Sequence, residues 1–147
     1  MKAIKIHIIF AFILLAGFTI SVSAQDKMMD KMMKEDKAML GSKNPVVVII
    51  RADWCPYCKE LEPKMMKLME QYGEKLNFVT LDITNRETTE KAKAMAKAAG
   101  LSEFFEANKA KASMVAIFKD KKQIFSTVHN TEGTDFVKAF EIALKDQ

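Results

Sequence analysis

The stretch Val46-Val47-Val48-Ile49-Ile50-Arg51-Ala52-Asp53-Trp54-Cys55-Pro56-Tyr57-Cys58-Lys59 decides how this chain is read. Five β-branched residues in a row, Val46 to Ile50, mark a strand buried on both faces of a sheet. After the cysteines, Leu61, Met65, Leu68, Met69 and Tyr72 recur at helical spacing. They predict an amphipathic helix over residues 58–71, closed by Gly73. A CxxC between a buried strand and a helix N-terminus has a physical logic. The first thiol meets unpaired backbone N–H groups and the positive end of the helix dipole, which stabilise a thiolate. The thiolate is the species that attacks a disulfide. The second thiol, one turn on, is within reach to resolve the mixed disulfide. Cys55 is therefore the expected nucleophile and Cys58 the expected resolving residue. Two other uses of such a pair fit the chain less well. A zinc site wants two further Cys or His ligands, and beyond the first 24 residues the chain offers only His129. A structural staple closing so small a loop constrains the unfolded chain very little.

Outward from this stretch, the pattern alternates between strand and helix. Residues 78–83 read as a second strand. Thr84-Asn85 caps an Ala- and Lys-rich helix over 87–99, ended by Gly100, and Ser102 is expected to cap a short helix holding Phe104 and Phe105. Residues 114–118 and 123–128 are short apolar runs joined by Lys119-Asp120-Lys121-Lys122, a hairpin by composition. Thr134 is expected to cap a last helix that buries Phe136 or Val137, Phe140 and Leu144. Parallel pairing early and a hairpin late predict an α/β fold with a mixed central sheet flanked by helices.

Upstream, Lys2 and Lys5 precede an apolar run from Ile8 to Ile20, and Val22-Ser23-Ala24 supplies the small residues of a cleavage site. Residues 1–24 thus read as a secretory signal peptide cut near Ala24-Gln25, with an uncleaved membrane anchor as the alternative. The expected location is the periplasm or the exterior. Residues 25–44 read as a Met- and Lys-rich leader or linker, and residues 45–147 as one domain. The 147-residue chain carries a net charge of +4, of which Lys2 and Lys5 supply two. That excess is too small to argue for nucleic acid. Met28, Met29, Met32 and Met33 form an i, i+4 double stripe. Soft thioethers select Cu(I), so a copper-binding or chaperone-like module using this stripe and the CxxC is the rival reading. The plainer one is a Met face packed on the domain or a partner. Met65, Met66 and Met69 are expected in the core of the active-site helix, and His129 as an ordinary loop residue.

Ala52-Asp53-Trp54-Cys55-Pro56-Tyr57-Cys58-Lys59, with Pro63 eight residues after the first Cys, resembles the thioredoxin superfamily over residues 45–147. The family likewise carries Trp before the first Cys, Lys after the second, and a helix-kinking Pro at that offset. Phe118-Lys119-Asp120 is similar to the end of the family's third strand. The opening of the motif is similar to periplasmic disulfide reductases, including the C-terminal domain of the membrane disulfide-interchange reductase. The resemblance implies a thioredoxin-like fold and a thiol–disulfide oxidoreductase with no cofactor. It would act on client proteins as a monomer and be recharged by an upstream thiol donor. Trp54, Pro56, Tyr57 and Lys59 would support the two cysteines. Pro-Tyr between the cysteines is the glutaredoxin pair. Family potentials run from ~−270 mV for thioredoxin through ~−200 to −230 mV for glutaredoxins to ~−120 mV for the periplasmic oxidase, so the resemblance implies a value in the middle.

Three departures from the family follow. The family's buried Asp, six residues before the first Cys, is replaced by Ile49, so proton transfer to the second Cys is expected to fall to water, Lys59 or Glu60. The family's cis-Pro is replaced by Ser113, and the chain's three prolines are Pro45, Pro56 and Pro63. A cis bond before a non-proline costs ~2.5–4 kcal/mol, so a trans peptide is expected, with the Ser113 hydroxyl offered to Cys55. Residues 82–113 are longer than in the family. An inserted helix over about 101–108 is expected before the third strand, as a candidate partner contact.

Overall fold

The computed structural model describes residues 43–145. Four strands and four helices follow one another along them: β1 (Val46–Arg51), α1 (Pro56–Tyr72), β2 (Asn77–Asp82), α2 (Arg86–Ala98), α3 (Ser102–Asn108), β3 (Met114–Lys119), β4 (Lys122–Val128) and α4 (Gly133–Leu144). The sheet order is β2-β1-β3-β4. β1 pairs parallel with β2, Val48 opposite Val79, and antiparallel with β3, Val48 opposite Ala116. β3 and β4 form an antiparallel hairpin whose register shifts between Ile117 and Phe118. Its two central residues, Asp120 and Lys121, both have positive φ. That suits the right-handed strand twist of a two-residue hairpin.

β1 is central, and Val46 to Ile50 are all buried. Alternate side chains feed two separate cores, because successive residues of a strand point to opposite faces. Val46, Val48 and Ile50 pack with Val79, Leu81, Ala92, Ala96 and Phe105, under α2 and α3. Val47 and Ile49 pack with Leu61, Met65, Leu68 and Tyr72 of α1 and with Phe136 and Phe140 of α4. Covering both faces with helices explains why the strand needs no polar residue.

The ends of the helices differ in detail from the sequence expectations. Asn85 caps α2 in a reciprocal capping box with Thr88. At its far end the Leu101 N–H reaches Ala96 O and the Gly100 N–H reaches Lys97 O, with Gly100 at φ 74°. This is the double closure that a left-handed glycine permits. Ser102 and Thr134 do not cap. The N-cap positions are Leu101 and Glu132, neither with a side-chain cap bond, and both hydroxyl residues already lie inside the first turn. α4 buries Phe136, Ala139, Phe140 and Ala143, whereas Val137 and Leu144 are only partly covered. Met65 is buried as expected, but Met66 is 63% exposed, because residue 66 lies off the helix face that carries Leu61, Met65 and Leu68. The signal segment, residues 25–42 of the leader and the stripe of Met28, Met29, Met32 and Met33 lie outside the described residues.

Candidate active site

Cys55 is the N-cap residue of α1, with extended backbone (φ −87°, ψ 116°), and its Sγ accepts the Cys58 N–H at 3.3 Å. A sulfur in this place does what a capping hydroxyl does, satisfying one of the four free N–H groups of the first turn. Pro56 follows at the first helical position, where its missing N–H costs nothing. The turn that presents Cys55 is held from outside. The Asp53 N–H donates to Thr84 Oγ1 at 3.0 Å and the Trp54 indole N–H to Thr84 O at 3.1 Å, tying it to the loop after β2. The Cys55 N–H closes the turn on Ala52 O at 3.1 Å.

The two thiols are unbridged and buried, Cys55 3% and Cys58 5% exposed. They face different spaces. Cys55 lines an open groove of about 290 Å³ walled by Trp54, Tyr57, Lys111, Ala112, Val128 and His129. Trp54 and Tyr57 are exposed on its rim. Cys58 lines a second cavity of about 120 Å³ on the other side, shared with Ile49, Arg51, Glu62, Thr80 and Ser113. Burial, followed by the hydrogen bond with Cys55, pushes the Cys58 thiol up to about 11, and backbone groups of Ala52 and Ser113 only partly oppose this. Cys58 therefore stays protonated until something removes its proton.

Beside Cys58, Arg51 organises the acidic residues. Its two terminal nitrogens bind Asp82 at 2.5 Å and Asp53 at 2.6 Å, and Glu62 lies at 3.9 Å. Burial works against the Asp82 charge, but hydrogen bonds from Thr84 and Thr88 and the Arg51 charge outweigh it and hold the carboxyl below its ordinary range.

The Ala112–Ser113 peptide is trans, as expected, and Ser113 is fully buried with φ 63°. Other expected site roles are not met. The Ser113 N–H donates to Ile50 O at 2.8 Å, and its Oγ accepts the His129 N–H at 3.1 Å instead of serving Cys55. Lys59 and Glu60, the expected proton carriers, are both exposed and line neither cavity. Glu60 Oε1 is bound by the Thr131 hydroxyl at 2.7 Å and by Lys64 at 3.2 Å. His129, read as a plain loop residue, belongs to the groove. Its ring stacks on Tyr57 with centroids 4.4 Å apart and planes 16° from parallel. It too has positive φ, 61°. No glycine marks either left-handed position, so composition carried no signal for them. The expected extra helix is α3; Phe105 anchors it in the core and Phe104 meets Phe118 edge-on at 5.2 Å. The segment just after it, Ala110 to Ala112, forms one wall of the Cys55 groove.

A mixed four-stranded sheet with helices on both faces, and a dithiol at the N-terminus of the helix that follows the central strand, define a thioredoxin-like fold. The family model for thioredoxin matches residues 27–130, and the chain belongs to that family. It is 46% identical over 46 residues to the chloroplastic thioredoxin-like protein HCF164 of Arabidopsis thaliana, covering 31% of this chain and 18% of that one. It is 34% identical over 86 residues to chloroplastic thioredoxin X of the same plant, covering 58% of this chain and 40% of the relative. Its matches thus span less than half the length of these relatives. Among solved structures, mitochondrial thioredoxin 3 of Saccharomyces cerevisiae superposes with a TM-score of 0.52 at 20% identity, over 74% of this chain and 87% of the yeast one. Thioredoxin O2 of Arabidopsis thaliana gives 0.52 at 18% identity, over 82% and 90%.

Proposed function

We propose that this protein is a thiol–disulfide oxidoreductase that reduces or exchanges disulfides of client proteins outside the cytoplasm. The observation that carries the proposal is the placement of Cys55 Sγ at the N-cap of α1, facing an open groove, with Cys58 buried one turn behind it. In the reducing direction the Cys55 thiolate attacks a client disulfide, and one client sulfur leaves as a thiol. Cys58 then attacks Cys55, releases the second client sulfur and leaves a Cys55–Cys58 disulfide. The client gains two electrons and two protons, which an upstream dithiol donor restores to the protein. Trp54 and Tyr57, exposed on the groove rim, would contact the client chain beside its disulfide. Lys59 would add positive charge close to the helix N-terminus. The charged N-terminus, apolar run and Val22-Ser23-Ala24 support export, and a monomer is the working unit.

The test is insulin reduction driven by dithiothreitol. Cys55→Ser should abolish turnover, and Cys58→Ser should accumulate mixed disulfides with clients in the extracytoplasmic fraction. Turnover retained by Cys55→Ser, with nothing trapped by Cys58→Ser, refutes the assignment. N-terminal sequencing of the same fraction should begin at Gln25, and a protein starting at Met1 in the cytoplasm would rule out export.

A further inference from the structure

When Cys58 resolves a mixed disulfide it must lose a proton, and burial holds that proton tightly. The strand position beneath it is Ile49, which cannot accept one. Lys59 and Glu60 do not line the Cys58 cavity, and Glu60 is engaged by Thr131 and Lys64. The cavity does hold one carboxylate, Glu62. Glu62 stands four residues after Cys58 on α1, so the two share a helix face. The Glu62 carboxylate lies 3.9 Å from Arg51 Nη2, and Arg51 lines the same cavity.

We propose that Glu62 is the proton-relay residue for Cys58, acting through water in the cavity between α1 and β1; this deepens the oxidoreductase reading and rests on it. About 120 Å³ is ample space, since one water needs only ~10–15 Å³ of such volume and two to four polar partners. The walls are largely apolar, with Ile49, Leu61 and Met65 among them, and the polar residues that line the cavity are Glu62, Arg51, Thr80 and Ser113 beside the thiol. The charged groups around the path are Arg51 of β1, Asp82 of β2 and Asp53 of the following turn. Both aspartates are taken up by short ion pairs with Arg51, whereas Glu62 is its third and most distant partner, at 3.9 Å. So long a contact leaves the Glu62 oxygens available to water. Its side chain is 52% exposed, so it can exchange protons with bulk water.

The Cys58 S–H proton passes through water to the Glu62 carboxylate, and the Cys58 thiolate attacks Cys55 Sγ. The Cys55–client S–S bond breaks as the Cys55–Cys58 bond forms, and the client thiolate takes a proton from solvent. Glu62 then returns its proton to bulk water. In the reverse direction, a donor thiolate attacks Cys55 and Glu62 returns a proton to the leaving Cys58.

Stopped-flow reaction of the reduced protein with 5,5′-dithiobis(2-nitrobenzoate) separates the two attacks. The first release of nitrothiobenzoate reports Cys55, and the second reports resolution by Cys58. Glu62→Gln should leave the first phase unchanged and slow the second about tenfold, below the ~10²–10⁴-fold of a directly placed acid–base group because solvent competes. Added formate should restore the second phase in the variant and leave the wild type unmoved, a response that a merely structural role would not give. If Glu62→Gln does not fold, the ratio of second-phase rates with and without formate in Glu62→Ser reads the same dependence. A second phase that is unchanged, or slowed but not restored by formate, overturns the relay. Absence of the first phase in the wild type would instead remove the oxidoreductase reading.

Discussion

Replacing Ser113 by proline, the residue common in the family at this place, should damage this protein instead of improving it. Proline fixes φ near −65° and has no N–H, whereas Ser113 has φ 63° and donates its N–H to Ile50 O at 2.8 Å. Leaving a buried carbonyl without its donor costs about 1–3 kcal/mol. Losing Oγ, the acceptor for the His129 N–H at 3.1 Å, adds a similar amount. The reversal of φ comes on top. A loss of about 2–6 kcal/mol before strain is a large share of the ~5–15 kcal/mol that holds a domain folded. Two further variants separate the contributions. Ser113→Ala keeps the left-handed backbone and loses only the acceptor, about 1–3 kcal/mol. Ser113→Gly loses the same acceptor but relieves a left-handed penalty of about 1–2 kcal/mol, so it should lie close to the wild type. Urea unfolding followed by tryptophan fluorescence at Trp54 would rank them as wild type near Gly, then Ala, then Pro. For a domain of about 100 residues each kcal/mol is also worth ~4–8 °C in Tm. A Ser113→Pro protein as stable as Ser113→Ala would show that this loop is held neither by the Ile50 bond nor in a left-handed backbone, and the account of the Cys58 surroundings would fail with it.

Two pH dependences follow from the site. Asp82 is held below its ordinary range, so its contribution to stability is present above the unfolded-state value and is lost as pH falls through the folded one. Urea midpoints of Asp82→Asn should therefore change less than those of the wild type on acidification below about pH 4, and parallel curves would refute the role of the Arg51 cluster. Cys58 shifts the opposite way. With the folded value near 11 against 9.0 for the free group, the reduced protein should keep full stability below about pH 9 and lose stability as pH rises from there through 11. Cys58→Ser should lessen that alkaline slope, leaving the part due to Tyr72, whose hydrogen bond to Glu141 also raises it, and an unchanged slope would show that the thiol is not buried as described.

Local features of the chain were enough for most of the fold. The β-branched run Val46–Ile50 forces a strand covered on both faces, because no side of it tolerates water, and both cores do form around it. The helical spacing from Leu61 to Tyr72 and the position of the CxxC ahead of it place the dithiol at a helix N-terminus, since that arrangement depends only on neighbours along the chain. Helix starts were less legible. A serine or threonine near the expected boundary marks a cap only when its backbone stays extended, and at Ser102 and Thr134 the helix had already begun. The surroundings of the thiols were decided by tertiary structure. Ser113 meets Ile50 and His129, and Tyr57 meets His129, through contacts between segments far apart in sequence. Glu60 and Glu62 are alike in composition and two residues apart, yet a helix turns them about 200° from each other. One is drawn to Thr131 and the other lines the Cys58 cavity. Sequence can name the carboxylates near a reactive thiol, but only the direction of the helix face and the shape of the cavity select the one placed to serve it.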